Sequence, residues 1–307
     1  MELICKLSGL ESNILSENEL KNDLKICLNC SKCKSNCPSG VDTSKIFAYK
    51  NAVLNPSKIS QRLFLGIKLL PIKILYFLNF FKNQPKNKFD SNIFYFKGCI
   101  ASAQHKKTFL DLAFKNPKFS CCGLPYLTSG DLKNYNKVKK RNIELIKKAK
   151  LVIFDCASCL SAIREYDELD ESDKKKLVFF TDDYANKKYK LKTNSKYKNI
   201  TFHKPCHMKK PTFENIEKFL KSIEGLNYVP LENQDKCCGF GGSYFIFHPI
   251  ISTKIALKKA FDIKKSNADL ILSACPSCVM GLRFGQLISL NFKKTLELRD
   301  FIENELM

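Results

Sequence analysis

Ten cysteines stand in two sets of the same order, and their thiols are the side chains most able to do chemistry in this chain. Each set has a single cysteine, then an adjacent pair followed by glycine, then a C-x-x-C pair. These repeat cysteines are Cys99, Cys121, Cys122, Cys156 and Cys159 in the first set, and Cys206, Cys237, Cys238, Cys275 and Cys278 in the second. Adjacent cysteines point in divergent directions, so a shared metal ion or cluster is what uses both. The repeated order indicates one structural unit, with one ligand set, present twice.

Four more cysteines lie nearer the N-terminus and are spaced C-x-x-C-x-x-C-x-x-x-C-P. They are Cys27, Cys30, Cys33 and Cys37. This is the ligand spacing of bacterial ferredoxins, so it predicts a ferredoxin-type 4Fe-4S cluster. No second motif of this kind follows in the sequence, and the fourth ligand is either Cys37 or a cysteine outside the motif. A zinc knuckle is the alternative, although zinc sites normally pair two C-x-x-C hooks at a distance.

Composition indicates that these thiols stay reduced. The chain has 307 residues and 15 cysteines, and it is too long and too rich in lysine to resemble a small secreted disulfide scaffold. Residues 1–6 do not form a basic region followed by an apolar stretch, so we expect no secretory signal and a cytoplasmic location. Cys5 stands alone, which is most often the mark of a small core residue.

The formal net charge of +22 comes almost entirely from lysine, since only five arginines are present. Proteins that read nucleic-acid bases concentrate their charge and use arginine or aromatic contacts, whereas lysine here is spread over every predicted helix. We therefore expect no nucleic-acid partner. A solvated lysine-rich surface is the simplest interpretation, and an acidic partner or an anionic membrane surface is the alternative.

Residues 57–82 form the most apolar stretch of the chain. A membrane-spanning helix needs about 20 predominantly apolar residues, and Lys68, Pro71 and Lys73 interrupt this stretch. We expect a broken helix that does not span a membrane, and that either packs on the core or lies at a bilayer interface. In the second case the chain would be peripheral on the inner face of the cytoplasmic membrane. Residues 83–91 have the composition of a linker.

Short β-rich runs end just before the first cysteine of each set and before each C-x-x-C pair, at residues 92–96, 151–155, 199–203 and 270–273. Lysine-rich amphipathic helices are predicted over roughly 133–149 and 252–266. Apolar strands that alternate with helices indicate parallel α/β units, whose ligands gather beyond the carboxyl ends of the strands. We therefore expect the cysteines to meet there. Nearby glycines would let the backbone turn tightly and offer N–H groups to sulfur, at Gly123, Gly239, Gly241 and Gly242.

Two other uses of these residues fit the sequence less well. The Gly239-x-Gly241-Gly242 run matches neither the dinucleotide-binding pattern nor the P-loop, so it does not predict a nucleotide site. A cysteine nucleophile would use one Cys-His pair and leave the remaining cysteines unexplained. His203 and His207 flank Cys206, and we expect them either to form local hydrogen bonds or to tune the potential of a cluster.

At these motifs the chain resembles the CCG-motif, or cysteine-rich domain, iron-sulfur oxidoreductases. This family includes lactate utilisation protein A and the iron-sulfur subunit of glycolate oxidase. It also includes one subunit each of anaerobic glycerol-3-phosphate dehydrogenase and of heterodisulfide reductase. The resemblance covers nearly the whole chain, and its strongest matches are residues 121–125, 129–131, 155–159, 203–207, 237–243 and 275–278.

The resemblance implies an α/β fold in which a helical ferredoxin-like N-terminal domain is followed by two repeated α/β cysteine-rich (CCG) modules. The expected domains are residues 1–56 (ferredoxin-like 4Fe-4S domain), 57–91 (apolar helical segment and linker), 92–196 (first CCG module) and 197–307 (second CCG module). It also implies that the five cysteines of a module can hold a non-cubane iron-sulfur cluster, which gives one or two such clusters in this chain.

Two features depart from the usual layout of that family. The second ferredoxin motif is missing, and the apolar stretch at 57–82 stands in its place. In addition, 21 residues separate Cys99 from Cys121, whereas 30 separate Cys206 from Cys237. The shorter spacing indicates that the first module lacks the strand that residues 227–231 supply in the second.

The motifs and the resemblance together predict an oxidoreductase subunit. It would be the iron-sulfur electron-transfer subunit of a flavin-dependent dehydrogenase of the glycolate, lactate or glycerol-3-phosphate type, and would pass electrons toward quinone. The chain shows no flavin or nicotinamide pattern, so the substrate site is expected on a partner flavoprotein and no catalytic residue is assigned. One alternative is heterodisulfide-reductase-like thiol/disulfide catalysis at the CCG clusters, and another is a zinc-binding interaction protein without a redox role.

Overall fold

The computed structural model describes residues 17–56, 92–103, 110, 121–182, 193, 195–241 and 244–306. The predicted apolar segment and linker at 57–91 lie outside the described residues, as do Cys5 and Gly242. The described chain forms an N-terminal helical region and two parallel sheets, each with its own helices. We call the sheet that starts at residue 93 and its helices the first module, and the sheet that starts at residue 199 and its helices the second module.

Three helices form the N-terminal region: α1 (Glu17–Lys25), α2 (Lys32–Ser35) and α3 (Thr43–Leu54). Asp42 caps α3, because its side chain accepts a hydrogen bond of 3.1 Å from the backbone N–H of Lys45. Helix α1 packs on α3, and Leu24 of α1 is fully buried. The four-cysteine motif lies between these two helices, partly in the short helix α2.

The first module is a parallel sheet of three strands in the order β1 (Ile93–Phe96), β2 (Leu151–Phe154) and β3 (Leu177–Phe179). Its described helices are α4 (Cys99–Ala103), α5 (Leu124–Thr128), α6 (Leu132–Lys148), α7 (Ala157–Arg164) and α8 (Glu171–Lys175). The strands are apolar and almost wholly buried, as expected for parallel strands covered on both faces. Phe96 and Phe154 pair in register on β1 and β2, and their rings stack with centroids 4.9 Å apart.

The second module has four parallel strands, numbered along the chain as β4 (Asn199–His203), β5 (Asn227–Tyr228), β6 (Leu270–Ser273) and β7 (Lys294–Glu297). Their order in the sheet is β5-β4-β6-β7. The described helices are α9 (Lys210–Lys221), α10 (Tyr244–Phe247), α11 (Pro249–Lys265), α12 (Pro276–Ile288) and α13 (Leu298–Glu305). Helices α11 and α12 approach closely at Gly285, where an added Cβ would lie 2.3 Å from the carbonyl oxygen of Ala256.

The predicted parallel α/β units are confirmed. All four strands expected beside the cysteines are present, and the two expected amphipathic helices are α6 and α11. Strand β5 pairs with β4 at one edge of the second sheet. The predicted loss of its counterpart in the first module concerns the stretch between Cys99 and Cys121, most of which lies outside the described residues. Strands β3 and β7 are three and four residues long and no cysteine motif follows them, so the sequence pattern does not single them out.

The carboxyl ends of the two sheets face each other. The backbone N–H of Ala157, at the start of α7, donates to the carbonyl oxygen of Ala274, just after β6, at 2.9 Å. One cluster of buried apolar side chains runs from α3 through both modules. Within the part of the chain that the structure describes, no helix combines the length and the apolar character needed to cross a membrane.

Candidate metal centre

The ends of four strands deliver the repeat cysteines to one place. Cys99 and Cys206 follow β1 and β4 after two intervening residues. Cys156 and Cys275 follow β2 and β6, and they are the N-cap residues of α7 and α12. A helix N-terminus favours negative charge, and hydrogen bonds from Cys156 and Cys278 lower the pKa of Cys275 well below its ordinary value. The pKa of Cys156 is raised instead, because the hydrogen bond with Cys159 is outweighed by the hydrogen bond with Cys275 and by burial. The expected meeting of the cysteines at the carboxyl ends of the strands is confirmed.

The Cys-Cys-Gly turns have the same geometry in both modules. The backbone N–H of Gly123 donates to Cys121 Sγ and that of Gly239 donates to Cys237 Sγ, each at 3.3 Å. Both glycines adopt left-handed backbone, with φ of 79° and 82°. A Cβ on Gly239 would lie 2.8 Å from the carbonyl oxygen of Ser252. Glycine is therefore required in this turn, which aims both neighbouring thiols at the site.

One cleft between the two modules is lined by nine of the ten repeat cysteines. The tenth, Cys121, is buried and hydrogen-bonds with its neighbours Cys99 and Cys122. The two sets also contact each other, because the thiols of Cys156 and Cys275 are within hydrogen-bonding reach. The structure thus brings the two sets of five together in what we call the inter-module cleft.

The thiols in this cleft are too crowded to ionise together without a compensating positive charge. The pKa of Cys278 is raised well above its ordinary value by the hydrogen bonds with Cys238 and Cys275, and burial adds to this effect. The pKa of Cys99 is raised by its hydrogen bond with Cys121 and by burial. Thiolate is the metal-binding form of cysteine, and a bound cation supplies the missing charge. The donor set therefore fits a sulfur-ligated metal centre.

A buried histidine in the second module supports the same conclusion. The Sγ atoms of Cys238 and Cys278 are 3.3 Å apart, and a ring nitrogen of His203 lies within 4.8 Å of both. Burial, followed by the nearby charge of Lys259, lowers the pKa of His203 to about 3, so the ring is neutral. Neither ring nitrogen has a hydrogen-bond partner among the described residues. Buried polar groups are almost always paired, so these residues fit a bound group at this position.

The N-terminal cysteine motif lies against the second module. Burial raises the pKa of Cys27, and the nearby thiols of Cys30 and Cys33 add to that shift. Burial likewise raises the pKa of Cys30, with a contribution from Cys237 of the second set. Cys37 follows α2 and is half-buried. The structure therefore brings Cys27, Cys30 and Cys33 together and places them next to the repeat cysteines of the second module.

His207 joins the N-terminal motif to the inter-module cleft. Its Nε2 atom is 2.7 Å from the carbonyl oxygen of Asn29, which lies between Cys27 and Cys30. Its Nδ1 atom is 3.8 Å from Cys206 Sγ and 3.4 Å from the hydroxyl of Ser158 in the first module. One of the two expected roles of His207, local hydrogen bonding, is thus observed. Gly241 lies in the same region, where an added Cβ would make only an ordinary contact of 3.8 Å.

Two buried charged residues near the cysteines were not evident from the sequence. Arg299 of α13 forms an ion pair with Asp155, the residue before Cys156, and a second ion pair of 3.1 Å with Glu297. The side chains of Arg299 and Asp155 are 2% and 1% exposed, so this pair links the second module to the first inside the protein. The one available signal was the scarcity of arginine in the chain.

Lys259 of α11 is the other residue of this kind. It is 2% exposed, and its Nζ atom donates to the carbonyl oxygen of Asn233. Burial lowers its pKa to about 8, while nearby carboxylates and the thiols of Cys238 and Cys278 act in the opposite direction. A lysine in a lysine-rich helix gives no signal in the sequence that it is buried.

Comparison with known proteins agrees with this geometry. Two stretches of the chain, residues 93–164 and 200–283, match the cysteine-rich domain known as CCG. The chain is 32% identical to lactate utilization protein A of Shouchella clausii over 195 residues, which cover 58% of this chain and 79% of that protein. It is 27% identical over 325 residues to one subunit of the dihydromethanophenazine:CoB–CoM heterodisulfide reductase of Methanosarcina acetivorans, covering 92% of this chain and 77% of that protein.

A third relative is longer than this chain. It is one subunit of the CoM/CoB fumarate reductase of Methanothermobacter marburgensis, and it is 28% identical over 165 residues, which cover 53% of this chain and 34% of that protein. The matched CCG stretches lie within the two modules, and each contains one complete set of five repeat cysteines. Because these stretches together make up half of the chain, the protein belongs to the CCG cysteine-rich domain family.

Proposed function

We propose that this chain is an iron-sulfur oxidoreductase subunit that carries electrons from a partner flavoprotein dehydrogenase toward quinone. The observation that supports this most is the continuity of the cysteine sites. Cys30 of the N-terminal motif interacts with Cys237 of the second set, and Cys275 of the second set reaches Cys156 of the first. Electron transfer between centres requires them to be close, and this order gives a continuous path of ligands.

The proposed ligands form three groups. A ferredoxin-type 4Fe-4S cluster would be held by Cys27, Cys30, Cys33 and Cys37, and a non-cubane cluster in the second module by Cys206, Cys237, Cys238, Cys275 and Cys278. A second non-cubane cluster would be held in the first module by Cys99, Cys121, Cys122, Cys156 and Cys159. When bound, such clusters accept and donate single electrons. The proposed domain boundaries remain 1–56, 57–91, 92–196 and 197–307.

The names of the relatives support a role as one subunit among several. One relative is a lactate utilization protein, and two others are subunits of reductases. A partner that oxidises a 2-hydroxyacid such as glycolate or lactate, or glycerol 3-phosphate, would supply two electrons for each substrate molecule. This chain would then carry them one at a time, with the substrate site on the partner.

The proposed location is the cytoplasm, with attachment at the inner face of the cytoplasmic membrane, where quinone is reached. The net charge of +22 is complementary to the anionic lipids of that surface. Binding to vesicles with and without anionic lipid would measure this attachment. Equal recovery of the chain in the supernatant of both samples would count against it.

The test of the proposed function is reconstitution with a partner. The chain, purified without oxygen, should copurify with a flavoprotein dehydrogenase, and the pair should reduce a quinone analogue when substrate is added. Omission of this chain should stop quinone reduction but leave flavin reduction by the substrate intact. If the chain alone oxidises the substrate, or if quinone reduction proceeds without it, the proposal is wrong.

Disulfide reduction is a second candidate, because the relative that aligns with 92% of this chain belongs to a heterodisulfide reductase. Two electrons and two protons would convert one disulfide to two thiols in the inter-module cleft. The reduced protein would then release thiol from a heterodisulfide without a flavoprotein present. A colourless, zinc-loaded protein from oxygen-free purification would instead rule out both redox functions and favour a zinc-binding interaction protein.

A further inference from the structure

The two modules differ at the residue that ends the strand before the first cysteine. That residue is Phe96 in the first module and His203 in the second, each three positions before its cysteine. Phe96 pairs in register with Phe154, and their rings stack. His203 pairs in register with Ser273, whose hydroxyl donates to the backbone carbonyl oxygen of His203 at 3.2 Å. That hydroxyl is therefore used by the backbone rather than by the imidazole ring.

His203 is a polar side chain at a position where the first module has the hydrocarbon side chain of Phe96. It is 0% exposed, and both ring nitrogens lack a hydrogen-bond partner among the residues that the structure describes. An unpaired buried polar group costs about 1–3 kcal/mol, and phenylalanine at the matching position of the first module avoids that cost. An imidazole retained under these conditions is explained by a group bound beside it, next to Cys238 and Cys278.

The position of the ring identifies the kind of partner. One nitrogen of His203 and the Sγ atoms of Cys238 and Cys278 all lie within 4.8 Å of one another, and the two sulfurs are 3.3 Å apart. On a single tetrahedral metal ion, a thiolate sulfur lies at about 2.3 Å and an imidazole nitrogen at about 2.0–2.1 Å. Two such sulfurs and one such nitrogen are then about 3.5–3.8 Å from one another. The three donor atoms thus lie close enough together to bind one metal centre.

We propose that His203 is a nitrogen ligand of the metal centre in the second module, next to Cys238 and Cys278. This inference rests on the proposed function, which supplies the iron-sulfur centre. Cys206, Cys237 and Cys275 remain sulfur ligands of that centre. The centre of the second module then has one neutral nitrogen ligand in addition to its five thiolates, and Phe96 supplies no such donor at the matching position of the first module.

Pulsed EPR on protein with isotope-labelled histidine tests this ligand directly. The chain, reconstituted with iron and sulfide, is prepared with natural-abundance histidine and with ¹⁵N-histidine, and the hyperfine spectrum of the second-module centre is recorded in its paramagnetic state. We expect the coupling of a directly bound imidazole nitrogen, and it should change on labelling by the ratio of the two nuclear moments. His203→Phe, which copies the first module, should lose this coupling, whereas His207→Gln should retain it.

Each outcome bears on the inference. Full iron and sulfide without a coupled histidine nitrogen would show that His203 is not a ligand, while the proposed function would stand. A coupling that survives in His203→Phe would assign the nitrogen to another histidine and overturn the inference. Protein that takes up no iron would overturn both proposals. The labelling result on the unaltered chain does not depend on the folding of any variant. In a further variant, His203→Cys, the iron content should be kept while the nitrogen signal is lost.

Discussion

The two modules hold the same five cysteines at the same strand ends, but they surround them with different side chains. Helices α6 and α11 can be aligned at their C-terminal ends, because the residue that follows each helix donates a backbone hydrogen bond to an isoleucine, Ile146 in α6 and Ile263 in α11. Four residues earlier, the first module has Asn142 and the second has Lys259, both buried. Asn142 donates to the carbonyl oxygen of Cys121 at 2.8 Å. A repeated ligand set thus lies in two different electrostatic environments.

The difference extends to the strand ends. The residue before the C-x-x-C pair is Asp155 in the first module and Ala274 in the second. Burial raises the pKa of Asp155, and the charge of Arg299 acts in the opposite direction. Because Arg299 belongs to α13, the first module depends on the second for this charge. Arg299 offsets the charge of Asp155, and Lys259 gives the second module a buried positive charge that Asn142 does not supply in the first, so the second centre should have the higher reduction potential.

The largest effects should come from removing one cysteine of either Cys-Cys-Gly turn. Cys238→Ala should lose the second-module centre, about four iron per chain, and abolish electron transfer to a quinone analogue because that centre lies between the other two. The matched variant Cys122→Ala should lose a similar amount of iron but leave the second centre reducible. Iron analysis, EPR and the transfer assay measure this. Full transfer by Cys238→Ala would show that the second module is not on the electron path.

The next largest effect should be on stability, at the buried ion pair between Arg299 of the second module and Asp155 of the first. Arg299→Met removes the ion-pair partner of the buried Asp155 and leaves it the hydrogen bond from the Tyr95 hydroxyl, so we expect a loss of about 3–5 kcal/mol in the free energy of unfolding. The control is Lys45→Ala, which removes an ion pair with Asp167, a side chain that is 67% exposed. That change should cost less than about 1 kcal/mol. Urea unfolding in the absence of oxygen measures both, and equal costs would contradict the assigned role of Arg299.

The two Cys-Cys-Gly glycines should differ in their tolerance of alanine. Both have positive φ, so each substitution introduces backbone strain of about 1–3 kcal/mol. An added Cβ on Gly239 would meet a backbone oxygen at 2.8 Å, whereas one on Gly123 would meet a carbon of the Tyr135 ring at 2.9 Å. A side chain can move more easily than backbone, so Gly239→Ala should lose more stability and more iron than Gly123→Ala. The reverse order would contradict the described turns.

The cysteine positions and the parallel sheets could be predicted because they depend on local patterns. Apolar runs and the spacing of Cys, Gly and Pro identify the strands before Cys99 and Cys206 and the side of the sheet where the thiols meet. The partners of buried charges depend on residues far apart in the chain, as in the pair of Asp155 with Arg299, which are 144 positions apart. Lys259 has the sequence context of a solvated lysine, and its burial follows only from how α11 packs.

Lys259 offers a test of the predicted difference in potential. Its pKa is lowered to about 8, mainly by burial, so the side chain remains charged at pH 7. Loss of this charge should make the addition of one electron to the second centre less favourable by about 1–2 kcal/mol. Lys259→Gln should therefore lower the reduction potential of that centre by about 40–90 mV. The control Lys258→Gln removes the same charge from an exposed position on the same helix and should have little effect. Redox-titrated EPR compares the two, and equal shifts would contradict the argument.

The smallest effect is expected at His207, which lies at the inter-module cleft and joins it to the N-terminal motif. His207→Ala removes the contact with the carbonyl oxygen of Asn29 and the polar neighbour of Cys206. The cluster signal should persist, with a modest shift in potential. If the variant keeps cluster and potential but loses only disulfide reduction, disulfide catalysis becomes the better account.

The most direct test of the central claim, that both modules and the N-terminal motif hold iron-sulfur centres, is to measure iron and acid-labile sulfide per chain after reconstitution without oxygen. Three four-iron centres predict about 12 iron and a similar amount of sulfide. About eight of each would contradict the claim for one of the three sites and would mean that the first module, which has the shorter cysteine spacing, is empty. A value near four would contradict the account, because it would show that the repeat cysteines do not bind clusters.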